Sequence, residues 1–133
     1  MVSPVFGILI FLCLYVIATR YYPGGSEFNK NSSGFSWVNN YWCNLLNDKT
    51  INGQYNAARP IALAAMVILC FALAAFWWIF PQQVELKGRS RLTIQFSGAV
   101  AMTIGMFLFT KFHDNIINAT TFFGLIATIG TFA

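Results

Sequence analysis

The distribution of charge constrains this chain more than any other feature. Residues 1–19, 60–84, 92–110 and 115–133 contain no Asp, Glu, Lys or Arg, so all charged side chains, eight basic and four acidic, lie between these runs. A soluble domain of this size needs charges around its whole surface, so this distribution excludes one. A disordered chain is poor in hydrophobic residues, and it is excluded because 57% of these residues are hydrophobic. A helix of roughly 20 apolar residues crosses a bilayer. The pattern therefore predicts a polytopic membrane protein.

We predict an all-α transmembrane helix bundle that forms a single domain over residues 1–133 and contains four spans. The predicted spans are about 3–21, 60–80, 92–110 and 118–133, with a long first loop at 22–59. Pro60 fits the first turn of a helix, and Pro81 is predicted to stop the second span. A signal peptide cleaved after Val16-x-Ala18 is an alternative for the first run, although no Lys or Arg precedes it.

The net charge of +4 does not indicate a nucleic-acid partner, because no basic patch could follow a phosphate backbone. Lys87, Arg89 and Arg91 lie together in the short connection after the second run, which the positive-inside rule places in the cytoplasm. The N-terminus is then cytoplasmic and the first loop is outside. A raw count of cations nearly reverses this orientation, because residues 20–59 contain four. The expected partners are membrane lipids.

Small residues repeat every four positions in the last two runs. The two stripes are Ser97, Ala101 and Gly105, and Thr120, Gly124 and Thr128. Such spacing lets helix backbones approach closely in a membrane, so the stripes predict helix–helix association. Gln95 is predicted to donate a hydrogen bond between helices.

The first loop contains an amphipathic pattern. Its apolar residues at helical spacing are Trp37, Val38, Tyr41, Trp42, Leu45 and Leu46, and asparagines occupy the opposite face. With Ser36 as N-cap, the pattern predicts a helix that lies in the membrane interface. The predicted lining of a lipid or amphipath site is Trp37, Asn40, Tyr41, Trp42, Cys43 and Asn44. A structural lid on the bundle is the alternative.

Candidate catalytic groups are few. His113 and Asp114 follow the third run, and the predicted topology puts them on the same membrane side as Asp48. An intramembrane enzyme or transporter could use His113 as a general base oriented by either carboxylate. One His beside an Asp is too small a ligand set for zinc, and three cysteines do not form a disulfide framework. We therefore predict no metal and no cofactor, and a non-enzymatic role is favoured.

Three segments of the first loop resemble a known pattern. They are Tyr22-Pro23-Gly24-Gly25, Asn39-Asn40-Tyr41-Trp42-Cys43-Asn44-Leu45-Leu46 and, after Asn52-Gly53, Asn56-Ala57-Ala58-Arg59-Pro60. This stretch looks like uncharacterised bacterial membrane proteins with a YPGG…NYWCDLL…NG..NPARP first loop, which are more distantly similar to Frag/DRAM/Sfk-like proteins.

The resemblance implies a bacterial inner-membrane protein of six spans, and no activity comes with it. The fourth run reaches Ala133 without a polar anchor, so we expect the chain to be a piece of a longer protein. Asn44 stands where the pattern has an acid, which puts any function of that acid in doubt unless Asp48 replaces it.

Overall fold

The computed structural model describes residues 2–132, with side chains from Pro4 onward, and this part of the chain is all-α. It contains α1 (Val2–Arg20), α2 (Arg59–Gln83), α3 (Gly88–Gly105), α4 (His113–Phe132) and a short 3₁₀ helix (Trp42–Leu46). The predicted all-α class is confirmed. By length and composition, α2 and α4 could each cross a membrane, and Pro4–Arg20 is a shorter apolar helix.

The ends of α3 and α4 differ from the predicted spans. α3 ends at Gly105. In the turns that follow, the hydrogen bonds join residues three apart rather than four: Phe107 N–H donates to Ile104 O (3.0 Å) and Leu108 N–H to Gly105 O (3.2 Å). α4 begins at His113 and carries Asp114 in its first turn. A carboxylate there is favourable beside the helix N-terminus, so a charge marks the helix start rather than the loop before it.

The prediction that Pro81 stops the second helix is wrong. α2 continues to Gln83 and includes Pro81. The helix is terminated by Glu85, whose φ of 57° is left-handed. Glu85 N–H donates to Gln82 O (3.2 Å) and Leu86 N–H to Pro81 O (2.9 Å), which is the Schellman arrangement.

The chain divides into two compact units, and one of them contains Met1–Leu9 and Val67–Ala133. In this unit α3 and α4 pack against each other in antiparallel directions. A Cβ atom on Gly105 would lie 3.7 Å from Thr120 Cγ2, and one on Gly130 would lie 2.8 Å from Ile94 Cγ1. The first distance is an ordinary van der Waals contact, whereas the second is too short, so the close approach of the helices depends on the glycine at position 130.

The two small-residue stripes differ in how deeply they are buried. Ser97, Ala101 and Gly105 are all buried. In the other stripe Thr128 is exposed and Gly124 faces open space, whereas Ala127 is fully buried. The prediction for Gln95 is confirmed, because its Nε2 donates to Trp78 O of α2 at 2.8 Å.

The other unit is Ile10–Met66, which contains the end of α1, the first loop and the start of α2. Small side chains of the two helices are fully buried there, as are the leucines of the 3₁₀ helix. These residues are Ala18, Ala58, Ala62, Leu45 and Leu46. The first loop is thus a folded part of its unit.

Candidate functional site

The first loop is organised around Asn56, whose side chain is fully buried. Its Nδ2 donates to the carbonyl oxygens of Asn44 (3.1 Å), Leu45 (3.1 Å) and Asn47 (2.9 Å). Its Oδ1 accepts a hydrogen bond from Ala58 N–H at 3.1 Å. Asn56 therefore ties the 3₁₀ helix to the residues that begin α2.

Asn40, a predicted lining residue, plays a similar structural role. It is buried, its Nδ2 donates to Gly25 O and its Oδ1 accepts from Ser36 N–H, both at 2.9 Å. These bonds hold the turn at Ser26–Asn29 and the segment from Ser36 onward as one structure. Because both polar atoms of the Asn40 amide are already bonded, this side chain is poorly suited to bind a solute.

The prediction of a continuous helix beginning at Trp37 is wrong, whereas the location of this segment in the membrane interface stays a prediction. Asn39 N–H donates to Ser36 Oγ at 3.2 Å, as an N-cap requires, but Asn40 Oδ1 bonds back to Ser36 N–H and closes a turn. Tyr41 is extended, and only Trp42–Leu46 are helical. Asparagine side chains compete with the helical backbone for its hydrogen bonds, which explains why the helix does not begin earlier.

The surface of the loop matches the amphipathic pattern only in part. Leu45, Leu46, Asn40 and Asn44 are buried, whereas the large apolar residues before them point outward. We call the exposed set the aromatic surface: Trp37, Val38, Tyr41 and Trp42, with exposed fractions from 44% for Trp42 to 90% for Val38.

Ring contacts hold the aromatic surface in place. Trp37 and Trp42 meet edge to face with 6.3 Å between ring centroids, and Trp42 lies 5.2 Å from Tyr15 of α1. The Tyr15 hydroxyl also donates to Trp42 O at 3.3 Å. Phe35 packs edge to face on Trp37 at 5.6 Å. The tryptophans are therefore both exposed and fixed in orientation.

A depression of about 130 Å³ lies beside the aromatic surface. Its lining is Glu27, Phe28, Val38, Asn39, Asn40 and Tyr41. Ligand pockets in proteins usually have volumes of about 300–1,000 Å³, so this depression is too small for an ordinary solute.

The candidate catalytic residues make simple pairwise contacts. Asp48 Oδ1 lies 2.5 Å from a guanidinium nitrogen of Arg59, whose Nε donates to Leu46 O at 3.0 Å. In the other unit, His113 Nδ1 lies 3.2 Å from Asp114 Oδ1, and the Asp114 carboxylate is almost fully exposed. The Asp48–Arg59 pair joins the loop to α2. A catalytic pairing of Asp48 with His113 stays a prediction.

Cys43 and Asn44 have distinct environments. Burial raises the pKa of the Cys43 thiol, the Glu27 carboxylate raises it further, and backbone hydrogen bonds partly offset both effects. A raised pKa lowers the thiolate fraction, so Cys43 is a poor nucleophile at neutral pH.

Asn44 Nδ2 is buried and has no hydrogen-bond partner in the described part of the chain. Among the described residues, no group of three or more His, Cys, Asp and Glu could hold a metal ion.

The structure also identifies residues in the loop and in the helices beside it that the sequence did not single out. Asn56 and Arg59 join the 3₁₀ helix to α2, and Tyr15 supports Trp42 from α1. The only sequence signal for the first two is their place in the Asn56-Ala57-Ala58-Arg59-Pro60 segment. Nothing in the apolar run around Tyr15 indicates its role.

Comparison with known proteins adds no family to this description. The chain matches no protein-family model, no curated protein and no solved structure. The resemblance of the first loop to bacterial membrane proteins therefore stays a prediction.

Proposed function

We propose that this chain is an integral membrane protein of four spans whose first loop places the aromatic surface in the headgroup region of the bilayer and contacts lipid there. Two helices that could cross a membrane support the first part. Each α-helix also exposes at least one phenylalanine by 60% or more: Phe6, Phe71, Phe96 and Phe122. Lipid would cover such side chains, whereas water makes them an aggregation hazard. On this basis α1 and α3 are spans as well.

The observation that carries the lipid contact is the exposure of the aromatic surface. Tryptophan and tyrosine are enriched where a membrane meets water, because their rings are apolar while their N–H and O–H groups remain hydrated. Residues 31–47, which contain the aromatic surface, carry no charged side chain. The absence of charge makes insertion of this segment among headgroups inexpensive.

A lipid fits the loop better than a polar solute does. The amides of Asn40 and Asn56 bond to the backbone, and the adjacent depression is small. No specific observation favours the enzyme or transporter alternative based on Asp48, His113 and Asp114.

By the positive-inside rule and the resemblance, the proposed location is a bacterial inner membrane with a cytoplasmic N-terminus. Gly124 and Thr128, which α3 does not cover, offer a face for association with another helix.

Lipid quenching of tryptophan fluorescence tests this proposal. In the Trp77→Phe/Trp78→Phe double variant, the only indoles are Trp37 and Trp42. After reconstitution, phospholipids brominated near the headgroup should quench this fluorescence more than phospholipids brominated near the chain end. Strong quenching by aqueous iodide without quenching by either lipid would contradict the proposal.

A matched pair of variants shows whether the aromatic surface itself makes the contact. In the same background, Tyr41→Ser should reduce lipid quenching of the remaining indoles because it removes an exposed ring beside Trp42. Tyr55→Ser removes a similarly exposed ring of the same loop outside the aromatic surface and should leave quenching unchanged. Equal effects of the two variants would argue against a specific contact.

A further inference from the structure

A second cavity lies at the end of the molecule where α3 begins and α4 ends. Its volume is about 380 Å³, and it lies within the unit that contains both helices. Its lining is Leu86, Arg89, Ser90, Thr93, Ile94 and Gly130. The cavity is therefore large enough to hold a substantial polar group, unlike the depression in the first loop.

The lining of this cavity is itself amphipathic. Arg89 supplies a guanidinium group, and Ser90 and Thr93 supply hydroxyl groups. Leu86 supplies accessible apolar surface, and Ile94, which is completely buried, lies beneath it in the cavity wall. A ligand that satisfies both parts has an anionic or hydrogen-bonding head and an apolar body.

The charge around the cavity favours an anion. Lys87, Arg89 and Arg91 lie within five residues of one another, and Glu85 is the one acid in the same connection. Within the described side chains, the acids in close contact with a basic side chain are Asp48 with Arg59 and Asp114 with His113, so neither contact involves these cations. The positive charge of this connection is thus available to a ligand.

We propose that this cavity binds the headgroup of an anionic phospholipid, with the Arg89 guanidinium on the phosphate and the apolar lining against the glycerol and upper acyl chain. Guanidinium groups bind phosphate through two parallel charge-assisted hydrogen bonds. Basic pockets between transmembrane helices on the cytoplasmic side are suited to anionic headgroups. The inference rests on the membrane-spanning part of the proposed function, but it is independent of lipid contact by the first loop.

Two arginines on α3 provide a matched test. Arg89 lines the cavity, and Arg91, which carries the same charge two residues later and is also exposed, does not. Binding of phosphatidylglycerol and phosphatidylcholine to the full chain in detergent is measured by native mass spectrometry and by thermal stabilisation. Wild type should prefer phosphatidylglycerol. Arg89→Ala should weaken this binding about tenfold, since one charge-assisted pair is lost, whereas Arg91→Ala should change it by less than about twofold.

A second variant distinguishes the contribution of the cavity to lipid binding from the contribution of the positive charge. Thr93→Trp fills the cavity and keeps every cation, and Thr93 is exposed, so the helix should tolerate it. It should weaken phosphatidylglycerol binding as much as Arg89→Ala does. Equal losses in the two arginine variants, unchanged binding in Thr93→Trp, or equal stabilisation by inorganic phosphate alone would overturn the proposal. The fluorescence test of the first loop can fail or succeed independently of these results.

Discussion

Asn56 makes more hydrogen bonds from its side chain than any other residue discussed for the first loop. Asn56→Asp replaces the donor that serves the carbonyls of Asn44, Leu45 and Asn47 with an oxygen atom. Each buried polar group left unpaired costs about 1–3 kcal/mol, so we expect a loss of at least about 2 kcal/mol. The measurement is the free energy of unfolding, or the melting temperature, in detergent.

Asn44 provides the control for this prediction. It is also a buried asparagine of the same loop, but its Nδ2 has no partner in the described chain. Asn44→Ala removes an unsatisfied donor and should change the free energy of unfolding by less than about 1 kcal/mol. If Asn44→Ala is as destabilising as Asn56→Asp, hydrogen bonding is not the reason for the effect at position 56.

The pH dependence of Cys43 follows from its surroundings. Burial and the Glu27 carboxylate raise the pKa of the thiol above its ordinary value of 9.0. In a Cys13→Ser/Cys70→Ala background, the rate of alkylation should therefore reach half its maximum above pH 9.0. The raised pKa also makes the free energy of unfolding depend on pH. This free energy is highest below the ordinary pKa of the thiol, and it falls as the pH rises through the folded-state pKa.

The two causes of this shift can be separated by substitution. Glu27→Gln should lower the midpoint of the alkylation profile only partly, because burial is the larger cause. Asp48→Asn, which removes the carboxylate paired with Arg59, should leave the midpoint unchanged. A midpoint at or below pH 9.0 in the unsubstituted loop would show that the thiol is not desolvated.

At the scale of elements, one residue at the end of α2 can be replaced to increase stability. Glu85 adopts a φ of 57°, which costs a residue with a Cβ about 1 kcal/mol more than glycine. Glu85→Gly keeps both Schellman hydrogen bonds and should raise the free energy of unfolding by about 1 kcal/mol. Gln83→Gly, two residues earlier in the last helical turn, should lower it by a similar amount. A stabilising effect of both glycines would contradict this explanation.

The sequence predicted the helices well because long apolar runs determine their existence. It predicted their ends less well, because charged residues lie within helices here. Arg59 begins α2 and Asp114 lies in the first turn of α4, so each of these helices begins before its charge-free run does. The loop after Gly105 is apolar, so hydropathy alone did not separate it from α3.

The structure of the first loop could not be predicted from local periodicity. Asn40 Nδ2 bonds to Gly25 O, fifteen residues away, and Asn56 Nδ2 bonds to Leu45 O, eleven residues away. These long-range bonds bury asparagines and leave Trp37 and Tyr41 exposed. A helical pattern places all the apolar residues on one face, whereas here Leu45 and Leu46 are buried and the apolar residues before them are exposed.

At the scale of the whole molecule, the two proposed lipid contacts differ in chemistry. The aromatic surface belongs to a loop segment without charge, whereas the connection between α2 and α3 contains Lys87, Arg89 and Arg91. Helix α2 separates these segments along the chain. If α2 spans the membrane, they face opposite sides, with the cations toward the cytoplasm.

Labelling of paired serine-to-cysteine variants tests this topology. Ser33 in the first loop and Ser90 in α3 are both exposed, and cysteine changes neither charge nor size substantially. In a background without Cys13, Cys43 and Cys70, an impermeant maleimide should label Ser33→Cys in intact cells and Ser90→Cys only after permeabilisation. Because α2 is 25 residues long, about 37 Å at 1.5 Å per residue, it can place the two positions on opposite sides. The reversed pattern would place the cations outside, and labelling of both sites in intact cells would show that α2 does not cross the membrane.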